Sequence, residues 1–326
     1  MPPTTPTRRR EDRLPHFAPG SLLDTASLSR AEIMELLAES KKYAVPRSTR
    51  LLATAPGKTV ALLFYEASTR TRVSFEFAAK SIGAVTTIVT ANVSSIEKGE
   101  SLIDTGLTLQ SLGTDCIVIR HPNAGAPHTL ARQLRIPVIN AGDGAHEHPT
   151  QALLDAFTLL QHRRSLEGMR MVIVGDILHS RVTRSNLHLL VKLGAYVTLC
   201  GPESLLPNGF EDVVDEMYRP QVRIMRDFDH ALEDADAVMM LRIQKERLAG
   251  LQIDLAAFMR EYQLTAERKQ RAKRDLIVMH PGPMIRGLEI ASEVADGIGS
   301  VILEQVRNGV FVRRAVLARA LAEQKD

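Results

Sequence analysis

The chain has 326 residues, 44% of them hydrophobic and 24% charged, which is enough to bury a sizeable core and suggests two domains. Its net charge of +3 and 4% aromatic content, with no Trp, argue against a nucleic-acid-binding surface. No apolar run approaches the roughly 18 residues that span a bilayer.

The opening MPPTTPTRRREDR is polar, and Glu11 and Asp12 interrupt its arginines. It has no apolar core and therefore does not read as a secretory signal; residues 1–18 are expected to be a disordered tail. Next, SLSRAEIMELLAESKKYA offers a capping serine followed by helical periodicity. Short apolar runs then alternate with amphipathic segments. Strands are expected over 59–66, 84–90, 116–121 and 137–140, then over 170–176, 195–200, 222–225, 237–243 and 276–280. Helices are expected over 69–82, 101–112, 150–162 and 181–193. Alternation of this kind means βαβ units and parallel sheets, and runs such as VALLF and MVIV suit strands covered on both faces. The fold class is therefore α/β, with two doubly wound domains joined by the helix that begins near Pro149. The last segment, SVILEQVRNGVFVRRAVLARALAEQ, reads as two helices broken at Asn308-Gly309. Cys116 and Cys200 each sit in an apolar run and read as buried free thiols of a reducing cytosol, which makes the expected location cytoplasmic.

Ligands of open parallel sheets bind outside the carboxyl ends of the strands. The first strand is followed there by Ser68-Thr69-Arg70-Thr71-Arg72, and CIVI by Arg120-His121-Pro122. PVIN leads into AGDGAHEHPTQ, which ends in His148, Thr150 and Gln151. Further on, MVIVGD leads to Arg181 and Arg184, AVMML to Arg242, Gln244 and Lys245, and LIVM to His280-Pro281-Gly282-Pro283. Cations and hydroxyls recur at one edge and carboxylates are few, so the ligand should carry several negative charges. The run from Ser68 to Arg72 opens a helix, where free N–H groups, hydroxyls and an arginine fork together match phosphate oxygens. Capping alone would need one such residue.

Other motifs carry less. His146-Glu147-His148 has no partner at a zinc spacing, so no metal is expected. VIVGD lacks the second and third glycines of a dinucleotide turn, and PGKTV leads into a strand where a phosphate loop needs a helix. The cationic 271–274 run reads as a solvated helix face, and Asp155 and Asp176, lone carboxylates near the site edge, read as structural.

Taken in order, FYEASTRTRVSFE, ANVSSIEKGES, IRHP, AGDGAHEHPTQALLD, VGDILHSR, LRIQKER and HPGPMIRG resemble the aspartate carbamoyltransferase catalytic-subunit family over nearly the whole chain after the tail. The resemblance implies a carbamoyl-phosphate domain over 19–150, rejoined by C-terminal helices at about 303–326, and an aspartate domain over 151–302. It implies that Ser68, Thr69, Arg70 and Thr71 hold phosphate, and that Thr71, Arg120 and His148 face the carbamoyl carbonyl oxygen. Gln151 and the backbone around Pro281, Gly282 and Pro283 would surround the carbamoyl amide. Arg181 would take the α-carboxylate of aspartate, and Arg242 with Gln244 the β-carboxylate. It further implies a homotrimer in which Ser94 and Lys98 reach into the neighbouring subunit's site, with no cofactor. Assembly beyond the trimer, with regulatory chains or a dihydroorotase, stays open. Two positions depart from many relatives: Ile285 stands where HPGPMNRG has Asn, and Glu97 precedes Lys98 where some have a second basic residue.

The implied chemistry is attack of a neutral amine on the carbamoyl carbon, with phosphate leaving. Donors set at the carbonyl oxygen supply the largest electrostatic contribution. The departing phosphate can take the amine proton, so no separate base is needed. An ornithine carbamoyltransferase shares the first-half motifs, but its relatives carry HCLP at the position of HPGP and need an acid for the ornithine side chain, where this chain offers Arg242 and Gln244. A non-catalytic scaffold would have no need for Arg70, Arg120, His148, Arg181 and Arg242 together.

Overall fold

The computed structural model describes residues 17–44, 54–90, 100–243 and 254–322. The tail over 1–16 and the site candidates Ser94, Lys98 and Gln244 lie outside the described residues, as does Glu97. Phe17, placed in the tail by sequence, instead packs edge-on against His128 with ring centroids 5.9 Å apart.

Helix α1 (Arg30–Tyr43) starts where the sequence puts its cap: Ser29 accepts from the backbone N–H of Glu32, whose carboxylate accepts from the backbone N–H of Ser29. The first sheet comprises β1 (Thr59–Phe64), β2 (Val85–Thr90), β3 (Cys116–His121) and β4 (Val138–Asp143), in the spatial order β2-β1-β3-β4 and parallel throughout. Between these strands run α2 (Thr69–Ser81), α3 (Leu102–Ser111) and α4 (Ala126–Ala131). Both faces of the sheet are covered with the period of two that a strand imposes. Val60, Leu62 and Phe64 belong to one core cluster, and Ala61 and Leu63 join Ile117, Ile119, Leu109 and Leu130 in another.

Helix α5 (Pro149–His162) leads to the second sheet: β5 (Arg170–Val174), β6 (Tyr196–Cys200), β7 (Val222–Met225), β8 (Ala237–Met240) and β9 (Ile277–Met279), in the order β7-β6-β5-β8-β9, again all parallel. Around it lie α6 (Arg181–Lys192), α7 (Phe228–Leu232), α8 (Leu255–Tyr262), α9 (Ala266–Arg271) and α10 (Ser292–Ala295). Met171 and Ile173 face one core cluster while Val172 and Val174 face another. Helix α11 (Ile302–Ala320) returns to pack on α1, α2 and α5. Cys116 and Cys200 are free and buried, and burial pushes the Cys200 thiol up to about 12.

Three sequence expectations need correction. The C-terminal segment is one continuous helix across Asn308-Gly309. Asn308 acts as a packing residue, donating to Thr158 Oγ1 at 2.9 Å and Gln161 Oε1 at 2.7 Å. At Gly309 a Cβ would meet Arg313 Nη1 at 2.5 Å and a Leu154 methyl at 3.2 Å, so the glycine lets helices approach and does not end one. The cationic 271–274 run leaves the helix at Arg271, and Lys273 pairs with Asp236 at 2.7 Å. Several strands stop short: Glu66, Asp176 and Ile243 lie beyond the ladders.

Candidate active site

In each sheet the chain order reverses between two central strands, β1 and β3 in the first and β5 and β8 in the second. Loops leaving such strands diverge and open a crevice. Here the two crevices face one cleft of about 1130 Å³, lined by Ser68, Thr69, Arg70, Thr71, Arg120, His148, Gln151, Arg181, Arg242 and the 280–283 turn. The described sequence-predicted residues therefore meet in one place. Glu66 is the one acid among the described residues lining it, beside Arg70, Arg120, Arg181, Arg242, Arg307 and Arg313. Such a cleft suits a polyanion.

Ser68 caps α2, its Oγ accepting from the Thr71 N–H at 3.4 Å, and this turns the helix N-terminus toward the cleft. Arg70 is exposed at the mouth and donates to the Pro281 carbonyl at 2.8 Å. Gly282, with φ +64°, makes room for it, since a Cβ there would lie 1.7 Å from Arg70 Nη1. Arg120 leaves β3 and donates to Glu66 at 2.6 Å and to the Ala141 carbonyl at 3.3 Å. Arg181, the first residue of α6, reaches across from the second sheet to the same carboxylate at 2.8 and 3.1 Å and to the Gly144 carbonyl at 3.1 Å. Both guanidinium groups pass Gly142, where φ is +115° and a Cβ would stand 3.1–3.2 Å from each. Burial pushes the Glu66 carboxyl up, but the bonds and charges of Arg181 and Arg120 outweigh it and hold the group below the ordinary carboxylate range. One carboxylate thus holds two cations from opposite walls.

His148 stands immediately before α5, and its backbone N–H donates to Ser185 Oγ of α6 at 2.7 Å. Ser185 in turn donates to Glu147, which also accepts from Thr25 at 2.6 and 2.7 Å. Burial, together with the charges of Arg120, Arg313 and Arg181, holds the imidazole well below its ordinary range, so it is neutral at physiological pH. Its Nδ1 is buried and without a partner among the described residues, which leaves Nε2 to serve the cleft. The side chains of His146 and Glu147 go to separate partners. His146 pairs with Asp143 at 3.0 Å, Glu147 belongs to the serine–threonine network, and no group of three metal-ligating side chains occurs among the described residues. Arg184 is also set apart, held by the Ala145 and Leu178 carbonyls and stacked 5.0 Å over Phe210.

Beneath the rim lies a buried polar floor, of which sequence reading named Asp155 and Gln151 but not their partners Gln305 and Asn186, nor Arg313. Asp155 is fully buried and accepts from Gln151 at 2.9 Å, Gln305 at 2.8 Å and Asn186 at 2.9 Å. Arg313 of α11, 3% exposed, donates to Ser74 at 2.8 Å and stacks 5.1 Å over Phe75. Burial pushes Arg313 down to about 9, opposed by the charge of Asp155. Glu66 could have been found by its place beyond a strand's carboxyl end; nothing local marks Gln305 or Arg313.

Residues 21–161 match the family model for the carbamoyl-phosphate-binding domain of aspartate/ornithine carbamoyltransferases, and residues 167–320 match the Asp/Orn-binding domain. An aspartate carbamoyltransferase catalytic subunit from Koribacter versatilis is 54% identical over 305 residues, covering 94% of this chain and 98% of that one. Aspartate transcarbamoylase from Trypanosoma cruzi, solved with carbamoyl aspartate and phosphate, superposes with a TM-score of 0.83 at 33% identity over 94% of this chain and 97% of that one. A second structure of it holds N-(phosphonacetyl)-L-aspartic acid (TM-score 0.83, 31% identity, 95% and 98% covered). Ornithine carbamoyltransferase from Pyrococcus furiosus is equally close in fold, with a TM-score of 0.83 at 30% identity over 93% and 97% of the two chains. Two domain models matched in sequence order, and a relative matched almost end to end, agree with a cleft built for anions at the switch points of both sheets: the chain belongs to the aspartate/ornithine carbamoyltransferase family.

Proposed function

We propose that the protein transfers the carbamoyl group of carbamoyl phosphate to the amine of L-aspartate, releasing N-carbamoyl-L-aspartate and phosphate. The observation that carries this is the single cleft into which both sheets deliver cations, Arg70 and Arg120 from one side and Arg181 and Arg242 from the other. A phosphate held at the α2 N-terminus by Ser68, Thr69, Arg70 and Thr71 places the carbamoyl carbon beneath Arg120, His148 and Thr71. Negative charge developing on the carbonyl oxygen then meets preset donors, an arrangement worth about 10²–10³ in rate per donor. His148 serves as a neutral donor with no covalent intermediate, and the leaving phosphate accepts the amine proton. Holding both anions at contact distance is the remaining catalytic contribution.

Residues 19–150 with about 303–326 serve carbamoyl phosphate, and 151–302 serve aspartate. Arg181 receives the α-carboxylate as Glu66 yields it, and Arg242 with Gln244 receives the β-carboxylate. The fold does not discriminate aspartate from ornithine, since an ornithine enzyme superposes equally well; the cationic Arg242 and relatives such as the Koribacter subunit favour aspartate. Phosphate release measured with aspartate and with ornithine decides the matter, and activity with ornithine alone would overturn the reading.

The working unit is a cytoplasmic homotrimer in which Ser94 and Lys98 of one subunit complete the neighbour's site. Lys98→Ala and Arg70→Ala trimers should each be nearly inactive. Reassembled mixtures should recover up to about a quarter of native activity per site, because each mixed trimer retains one interface with both residues intact. Confirmed mixed trimers without recovery would mean that each site is built from one chain.

A further inference from the structure

The Asp155 cluster has a polarity that can be followed bond by bond. The backbone N–H of His280 can only donate, and it donates to Gln305 Oε1 at 3.0 Å. Gln305 must therefore turn its NH₂ the other way, where it donates to Asp155 Oδ1 at 2.8 Å. The same oxygen accepts from Gln151 Nε2 at 2.9 Å, and Asp155 Oδ2 accepts from Asn186 Nδ2 at 2.9 Å. With its NH₂ engaged below, Gln151 presents its carbonyl oxygen to the cleft it lines. Asp155 and Gln305 are 0% and 2% exposed, so water does not offer these amides an alternative partner. The carbamoyl group is the half of carbamoyl phosphate that can donate hydrogen bonds, through its NH₂; an acetyl group of the same shape has a methyl there. A fixed acceptor accepts the first and gains nothing from the second.

We propose that Asp155 and Gln305 are positioning residues that lock the Gln151 amide with its oxygen toward the cleft, and that this lock selects the carbamoyl group over groups lacking an N–H. The inference rests on the carbamoyl-transfer reading and on Gln151 facing the carbamoyl amide. Gln305 is anchored on the first residue of the 280–283 turn, so the same lock ties the Gln151 side chain to the opposite wall of that subsite. Burial pushes the Asp155 carboxyl up to about 7, while its three amide donors and Arg313 pull the other way and favour the ionised form that accepts.

The test uses the full-length enzyme, with carbamoyl phosphate as substrate and acetyl phosphate as competitive inhibitor. The readout is the ratio of the acetyl phosphate inhibition constant to the carbamoyl phosphate KM. Asp155→Leu removes the acceptor and should lower this ratio about tenfold, mainly by raising the carbamoyl phosphate KM, because a site built to bond an N–H rejects the analogue without it. Inhibition by inorganic phosphate should change less than twofold. Asp155→Asn should restore part of the ratio, since its oxygen can still face Gln151, although Asn186 must give up its bond to the Val182 carbonyl to turn Oδ1 to the new amide. If Asp155→Leu does not fold, Gln305→Leu, which removes the neighbour orienting the shared oxygen, should lower the ratio about threefold. Equal weakening of both acyl phosphates, or an unchanged ratio in the folded variants, overturns the proposal. Gln151→Met separates the two levels. If it keeps the wild-type ratio, the placement of Gln151 itself is wrong; if it loses the ratio while Asp155→Leu keeps it, only the lock is wrong.

Discussion

The rim and the floor of the cleft are both polar, and they are polar for different reasons. On the rim, Arg70 is exposed and leans on a backbone carbonyl, a contact that a ligand can replace. On the floor, Arg313 and Asp155 are buried and held by side chains from three helices, α2, α5 and α6, together with α11. Groups that meet a ligand must be able to exchange partners. Groups that set the shape of the site must not, because an unpaired buried charge is costly. Rim substitutions should therefore affect turnover, and floor substitutions should also affect stability.

The largest effect is expected at Arg70. Arg70→Ala removes the cation proposed to hold the phosphate and should lower turnover by about 10³-fold. The melting temperature should stay within about 2 °C, because no core contact is lost. Near-normal activity beside a normal melting curve would remove Arg70 from the site.

Arg313→Met tests the opposite side of the comparison. The substitution leaves Asp155 without its nearby cation and removes the bond to Ser74, which should cost about 3 kcal/mol. Thermal unfolding should show a drop of about 4–5 °C for a chain of this size. A variant that melts normally but has lost turnover would place Arg313 among the ligand-binding groups.

Arg242→Ala divides the rim itself. It should raise the aspartate KM roughly ten- to hundredfold, the value of one charged hydrogen bond at about 1.5–3 kcal/mol. Carbamoyl phosphate affinity should change less than twofold, and equal loss of both would merge the two subsites.

The smallest effect lies outside both regions, at His146. Its hydrogen bond to Asp143 raises the imidazole above its ordinary range, against the opposing effect of burial. A raised folded-state value gives stability that is fully present below the unfolded imidazole value and lost as pH rises through the folded one. His146→Gln should thus cost up to about 1 kcal/mol at pH 5.5, discounted for its partial exposure, and clearly less at pH 8.5. An equal loss at both pH values would mean that the contact is steric.

The rim was legible in the sequence because its residues lie in the segments that follow apolar runs, so strand ends and cleft-lining groups share one signal. Ser68 to Thr71, Arg120, His148, Arg181 and Arg242 all follow that pattern and all line the cleft. The floor was not legible, because its bonds join distant positions: Asp155 meets Gln305 and Arg313 meets Ser74 across 150 and 239 residues. Asn308-Gly309 misled for the same reason. The pair looks like a helix stop in isolation, yet α5 makes it a packing point. Glu66 falls between the two cases, since its position was visible but its paired arginines were not.

The central claim is that one cleft receives a phosphate on one wall and a dicarboxylate on the other at the same time. Calorimetric titration with N-(phosphonacetyl)-L-aspartate, which joins both groups in one molecule, tests it most directly. The wild-type enzyme should bind one equivalent per chain, and Arg70→Ala and Arg242→Ala should each weaken binding at least about tenfold. Affinity untouched by either substitution would contradict the account, because the two walls would not be holding one ligand.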